Sequence, residues 1–193
     1  MVKKIKCSLL PGMTRLRGGI TEYVWQGGIG DREALLKMFS NLTLDTVLLR
    51  FLRPIKYWEP VVNELIANAS LIILAGKGRG GGEEEVVASA EAYETGIRGV
   101  AELGIVVRDD LQGRGLGTTL TALTALCLHE NNYKAMEAYF DPSNTPMRRI
   151  IVEKLGGRII GSGRDMVFTR LDLHRNIERI KRVLAHNYTQ YVA

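Results

Sequence analysis

Apolar residues recur at two periods along the chain, and the change from one to the other marks out its elements. Short, mostly apolar runs read as strands. These are Ile20 to Trp25, Leu71 to Ala75, Val86 to Ala92, Ala101 to Val107, Ala135 to Phe140, Ile159-Ile160 and Met166 to Leu173. Between them the spacing becomes helical. Asp31 is a plausible N-cap for a helix carrying Leu35, Leu36 and Phe39, and helices follow over about Leu44 to Phe51 and Pro60 to Ala69. Leu116, Leu120, Leu123 and Cys127 define an amphipathic helix from Gly115 to about Asn131. A helix over Asn144 to Leu155 has Pro146 in its first turn and Gly156-Gly157 at its end. A last helix begins near Arg175, with Ile177, Ile180, Leu184, Tyr188 and Tyr191 on one face. That face must pack on its own domain or on a second copy of the chain, so a homodimer is one expectation. Gly76 to Gly82 reads as a flexible turn kept wet by Glu83 to Glu85. Early strands joined by short loops predict antiparallel neighbours.

Composition changes this picture little. The chain has 193 residues, 46% hydrophobic and 24% charged, which suits one globular domain. No apolar run approaches the roughly 18 residues a membrane helix needs, so no membrane partner is expected. The start, Met1-Val-Lys-Lys-Ile-Lys, lacks the apolar stretch of a signal peptide. Cys7 and Cys127 have no partner motif, and Cys127 reads as a core residue, so a reducing, cytoplasmic setting is the default.

The net charge of +5 looks at first like a nucleic-acid footprint. Its location argues otherwise. Residues 1–19 carry Lys3, Lys4, Lys6, Arg15 and Arg17 and no acid, so residues 20–193 are balanced. The basic segment is expected to be a solvated N-terminal arm, and nucleic acid is disfavoured as a partner.

The chemistry concentrates at residues 101–117, where a strand ends at Val107 and a glycine-rich loop, Gln112-Gly-Arg-Gly-Leu-Gly117, opens a helix. Unpaired N–H groups and the helix dipole favour an anion there. Glycines allow close backbone approach, and Arg114 adds a formal charge. The P-loop string is absent, and the spacing of Gly113, Gly115 and Gly117 does not match G-x-G-x-x-G. A glycine loop alone is more often an ordinary helix start.

The loop, however, resembles the Q/R-x-x-G-x-G/A motif of the GNAT acetyltransferase superfamily. Phe140-Asp-Pro-Ser-Asn-Thr-Pro-Met-Arg-Arg-Ile-Ile-Val-Glu-Lys-Leu-Gly156 resembles that family's second signature, a strand and then an Asn opening a helix. The resemblance spans about residues 20–172. With Leu49-Arg-Phe-Leu-Arg-Pro54, it is most similar to the GNAT domain of prokaryotic protein lysine acetyltransferases.

It implies an α/β (α+β) GNAT fold, with a mixed, mostly antiparallel sheet of six to seven strands flanked by helices. The domain would run over 20–173, with residues 174–193 as a C-terminal helical extension. The sheet would be splayed between the strands at 101–107 and 135–140. Acetyl-CoA would enter that opening as co-substrate, along Ile105, Val106 and Val107. Gln112, Gly113, Arg114, Gly115, Leu116 and Gly117 would hold its pyrophosphate, and Asn144 would face it.

The implied reaction is direct acetyl transfer to an amine in a ternary complex, with protein lysine as the leading acceptor and a small amine as the rival. A non-catalytic acyl-CoA sensor is the alternative from another class. Lysine has a pKa near ~10.4, so a general base is needed. Glu102 is the candidate, with Glu91 and Glu94 as second choices. The family's usual tyrosine acid is replaced by Ile151, and Gly157 stands where a Phe is usual. Tyr133 and Tyr139 read as structural. His129, His174 and His186 show no metal-ligand spacing, so no metal is expected.

Overall fold

The computed structural model describes residues 2–77 and 85–190. The predicted turn at 76–85 lies mostly outside these, as does Tyr191. In chain order the elements are β1 (Gly12–Arg15), β2 (Thr21–Gln26), α1 (Arg32–Ser40), α2 (Leu44–Phe51), α3 (Trp58–Asn68), β3 (Leu71–Lys77), β4 (Glu85–Glu94) and β5 (Val100–Val107). Then come α4 (Leu116–Glu130), β6 (Ala135–Phe140), α5 (Thr145–Arg148), β7 (Arg158–Ser162), β8 (Val167–Asp172), α6 (Leu173–Ala185) and β9 (Tyr188–Gln190). The described strands form one nine-stranded sheet in the order β7-β8-β6-β5-β4-β3-β2-β1-β9. Every pairing is antiparallel except β5 with β6.

That parallel pair positions everything that follows. It joins Val100 to Ala135, Ala101 to Met136 and Glu102 to Glu137, and then stops. Beyond it, β5 stays bonded to β4 as far as Val107, and β6 to β8 as far as Phe140, so the sheet forks. The expected opening between these two strands is present.

Two cores pack on the two faces. Ala101 and Leu103 of β5 join the larger core with α4 and α6, and Val106 joins the smaller one with α1 and α3. This is the period-two alternation of a strand covered on both sides.

The sheet exceeds the expected six to seven strands because two were hidden. β1 lies inside the segment read as a solvated arm, and β9 inside the segment read as the end of the last helix. The arm is docked, not solvated. Ile5 and Leu16 are buried, and Ile5 N–H donates to the Ser70 carbonyl at 2.9 Å. Lys4 donates to the carbonyls of Ile66, Ala67 and Ala69, so the charge taken as tail solubility terminates α3. Cys7 and Cys127 are joined as a disulfide, pinning the arm to α4 across 120 residues of sequence, so neither is the free thiol on which the reducing setting was argued.

α4 also differs from expectation. Leu116 and every residue from Thr119 to Leu128 are buried, so it is a central helix and not an amphipathic one. Its polar positions are satisfied internally. Thr121 and Thr124 donate to the carbonyls of Gly117 and Leu120, at 2.7 and 2.9 Å. α6 is the amphipathic layer over it, with Leu173, Ile180 and Leu184 buried. The apolar stripe that suggested a homodimer is therefore spent within the chain. Among the described residues no helix is long and apolar enough to cross a membrane, and no cluster could hold a metal ion.

Candidate active site

Three elements meet at the fork. β5 ends at Val107, one turn covers Asp109–Leu111, and α4 opens with Gly115 as N-cap. Gly113 and Gly115 have φ of 71° and 103°, left-handed values that favour glycine. The first helical bond here is Thr119 N–H to the Gly115 carbonyl at 3.1 Å. The amides of Leu116, Gly117 and Thr118 therefore have no helical acceptor, and the helix dipole adds positive potential.

A cavity of about 430 Å³ opens at this helix start and runs into the fork. Its walls include Ile105, Val106, Val107, Gly113, Gly115 and Gly117. The charged side chains on its wall are Arg17, Arg50, Arg149 and Lys154, with no Asp or Glu. Arg50 is paired with Glu91 at 2.7 Å, and Arg149 reaches Glu153 only at 4.0 Å. Lys154 donates to Thr118 Oγ1 at 2.9 Å, and its pKa is lowered by burial and by the neighbouring Arg17 and Arg149. Like charges held together at an anion-binding helix start fit a polyanion such as the phosphates of coenzyme A.

Sequence reasoning missed Arg17, Arg149 and Lys154. Arg17 was assigned to the arm, yet its N–H donates to the Arg114 carbonyl at 3.0 Å, stitching the arm to the glycine loop. Arg149 and Lys154 are brought round by the helix after Asn144. That helix widens into a π-helical stretch at Arg149–Lys154, closed by Leu155 N–H to the Ile150 carbonyl. No periodicity in the sequence marks that widening.

The anticipated residues divide. Ile105, Val106, Val107, Gln112, Gly113, Gly115, Gly117 and Asn144 all line the cavity. Gln112 spends its amide on Thr46 Oγ1 at 2.9 Å and the Val107 carbonyl at 3.0 Å, so it braces the loop. Asn144 caps its own helix, with Oδ1 accepting from Met147 N–H at 3.1 Å. Leu116 is buried in the core and lies outside the lining. Arg114 and Glu102 lie outside the lining.

Glu102 is half-buried at the base of the fork, on the face it shares with Gly104 and Val106. Burial raises its pKa first and Glu137 adds to the rise, while Arg50 opposes it. Glu91 lies opposite Gly104 and is fully buried. It accepts from Ser89 and from Arg50, so it is tied into an ion pair. Glu94 accepts from Tyr133 at 3.1 Å. Of the three carboxylates, Glu102 alone has no hydrogen-bond donor among the described residues. Arg50 comes from the Leu49–Pro54 motif and packs over Gly104, where a Cβ would collide with its guanidinium and lie 3.0 Å from Glu91 Oε2. Tyr139 donates its hydroxyl to Glu137 at 2.6 Å on the same face.

Comparison with known proteins follows the same lines. Residues 45–157 match the model of the acetyltransferase (GNAT) family. No protein of curated function matches the chain. Among solved structures, the GNAT domain of S. lividans PAT superposes with a TM-score of 0.72 at 21% identity, covering 84% of this chain and 96% of that one. Mycobacterium smegmatis RimJ in complex with CoA-disulfide gives 0.64 at 17%, covering 94% and 96%. The putative acetyltransferase yncA from Salmonella typhimurium, with its cofactor acetyl-CoA, gives 0.57 at 18%, covering 79% and 94%. At these identities the likeness shows the fold.

Proposed function

The chain belongs to the acetyltransferase (GNAT) family, and on that premise we propose that it transfers the acetyl group of acetyl-CoA to the side-chain amine of a protein lysine. The observation that carries this reading is the cavity at the start of α4, cationic and free of acids, whose wall includes Arg50, the guanidinium that also acts on the half-buried Glu102. Backbone amides of residues 113–118, with Arg17, Arg149 and Lys154, hold the phosphates. Ile105 to Val107 guide the pantetheine arm along β5. Bound acetyl-CoA supplies the activated acyl group.

The residues of the chain do the rest. Glu102 takes a proton from the acceptor ammonium, for which a carboxylate of raised pKa is suited. The cysteines take no part as nucleophiles, because both are in a disulfide. The lysine preference is supported by the acceptor face of β4, β5 and β6. There Tyr93, Glu102, Glu137 and Tyr139 present carboxylates and aromatic rings to a long cationic side chain.

The test is thiol release from acetyl-CoA with lysine peptides, spermidine and free amino acids as acceptors. The reading requires turnover with peptides to exceed that with the small amines. Faster acetylation of spermidine would make it a small-amine enzyme, and tight binding without turnover would make it an acyl-CoA sensor.

A further inference from the structure

The face that bears Glu102 carries a second carboxylate, Glu137, that has no part in the proton transfer described above. Glu102 and Glu137 are the last residues paired between β5 and β6 before the fork. Opposite residues on neighbouring strands project from one face, so the two side chains are adjacent. Their surroundings differ. Glu137 has a side chain only 7% exposed, with Oε2 accepting from the Tyr139 hydroxyl at 2.6 Å and Oε1 from Arg170 Nη1 at 3.1 Å. Two donors on its two oxygens suit a carboxylate anion. Glu102 is half-buried with no such donor among the described residues. Two carboxylates in unlike environments can divide a proton-transfer task between them.

We propose that Glu137, braced by Tyr139 and Arg170, is a positioning residue that acts through Glu102, and that the pair selects acceptors arriving as alkylammonium ions. This rests on the proposed transferase reading. The fixed negative charge of Glu137 balances the incoming ammonium and disfavours ionisation of Glu102, which makes Glu102 the better proton acceptor. The proton passes from the ammonium nitrogen to a Glu102 oxygen. The freed lone pair then forms the C–N bond as the thioester C–S bond breaks, its electrons leaving on the CoA sulfur, which takes up the second proton as the new amide nitrogen sheds it. A weakly basic arylamine, already neutral at pH 7, needs neither carboxylate in this way. The groups facing Glu102 are Arg50 of α2, Glu91 and Tyr93 of β4, Glu137 and Tyr139 of β6, and Arg170 of β8. Glu91 and Glu137 each have an arginine partner, but Glu137 is the one paired in register with Glu102 and the one whose charge acts on it.

The experiment follows the Glu102 carboxyl carbon by NMR against pH in the ligand-free protein, for wild type, Glu137→Gln and Tyr139→Phe. Glu137→Gln should lower the Glu102 midpoint by about one pH unit. Tyr139→Phe removes one donor, exposes more of the Glu137 charge and should raise it. The acid limb of kcat/KM should move with the midpoint. KM for an alkylamine should rise roughly tenfold in Glu137→Gln while that for an arylamine stays within about twofold. An unchanged Glu102 midpoint in folded Glu137→Gln overturns the inference. If that variant does not fold, an unchanged midpoint in Tyr139→Phe does so. Absence of turnover with every amine would refute the transferase reading instead, and the titration would still decide the coupling.

Discussion

Replacing Lys154 with Met separates binding from folding. In the ligand-free protein the Lys154 ammonium is partly buried near Arg17 and Arg149, and its pKa lies below the ordinary 10.5 because of burial first and those arginines next. A base whose pKa is lowered by folding penalises the folded state while charged, so ligand-free stability should rise as pH climbs through its folded pKa toward 10.5. Met keeps the aliphatic stem and removes the penalty. The lost bond to Thr118 Oγ1 is to a hydroxyl in the first turn of α4 and leaves no buried charge behind. The variant should therefore melt at or slightly above wild type. Binding should move the other way. A charge-assisted bond to a phosphate contributes roughly 1.5–3 kcal/mol, and partial exposure places Lys154 at the lower end, about a tenfold loss of CoA affinity. Calorimetry with CoA at low and high salt is the assay, alongside melting of the ligand-free protein. The gap between variant and wild type should shrink as salt rises. Equal affinity at low salt would refute the assignment of this cluster to phosphate, and a variant that melts well below wild type would refute the account of Lys154.

Other outcomes follow from the same geometry. Glu102→Gln should lower kcat by roughly 10²–10⁴-fold while leaving CoA affinity unchanged. In wild type, kcat/KM should fall as pH drops through the raised Glu102 pKa, because only the ionised carboxylate accepts a proton, and Glu102→Gln should lose that limb. Gly104→Val should drive Arg50 from its seat against Glu91, destabilising the fold by about 1–3 kcal/mol in chemical denaturation. Reducing Cys7–Cys127 frees a loop of 120 residues, worth up to about 5 kcal/mol on loop entropy, so the melting temperature should fall with added reductant. A melting temperature that ignores reductant would show that the disulfide does not form in solution.

Much of this was legible in the sequence, for physical reasons. β6 was placed at its observed limits and α2 likewise, because both have sharp apolar boundaries and turn residues at their ends. The glycine loop was legible because left-handed φ at Gly113 and Gly115 demands that residue type. What escaped depends on tertiary contact. Thr14 is buried and donates to Thr119 Oγ1 at 3.3 Å, but nothing in the short run Gly12–Arg15 distinguishes a sheet strand from a tail. Tyr188 continues the period of α6 and was read as helical, yet it is paired with Thr14 in β9. Arg17 meets Arg149 and Lys154 from far away in sequence, and a cation on a surface segment carries no sign of its partner. Glu102 was chosen by its place in a motif. Its distinction from Glu91, the buried ion pair with Arg50, required the structure.

The central claim is that the start of α4 binds acetyl-CoA. Calorimetric titration of acetyl-CoA into wild type and Gly115→Glu tests it most directly, since φ of 103° at Gly115 strains any side chain and the new carboxylate would face the pyrophosphate. The account predicts clear wild-type binding that is lost in a variant still folded by circular dichroism. Failure of wild type to bind, or undiminished binding by the folded variant, would contradict it.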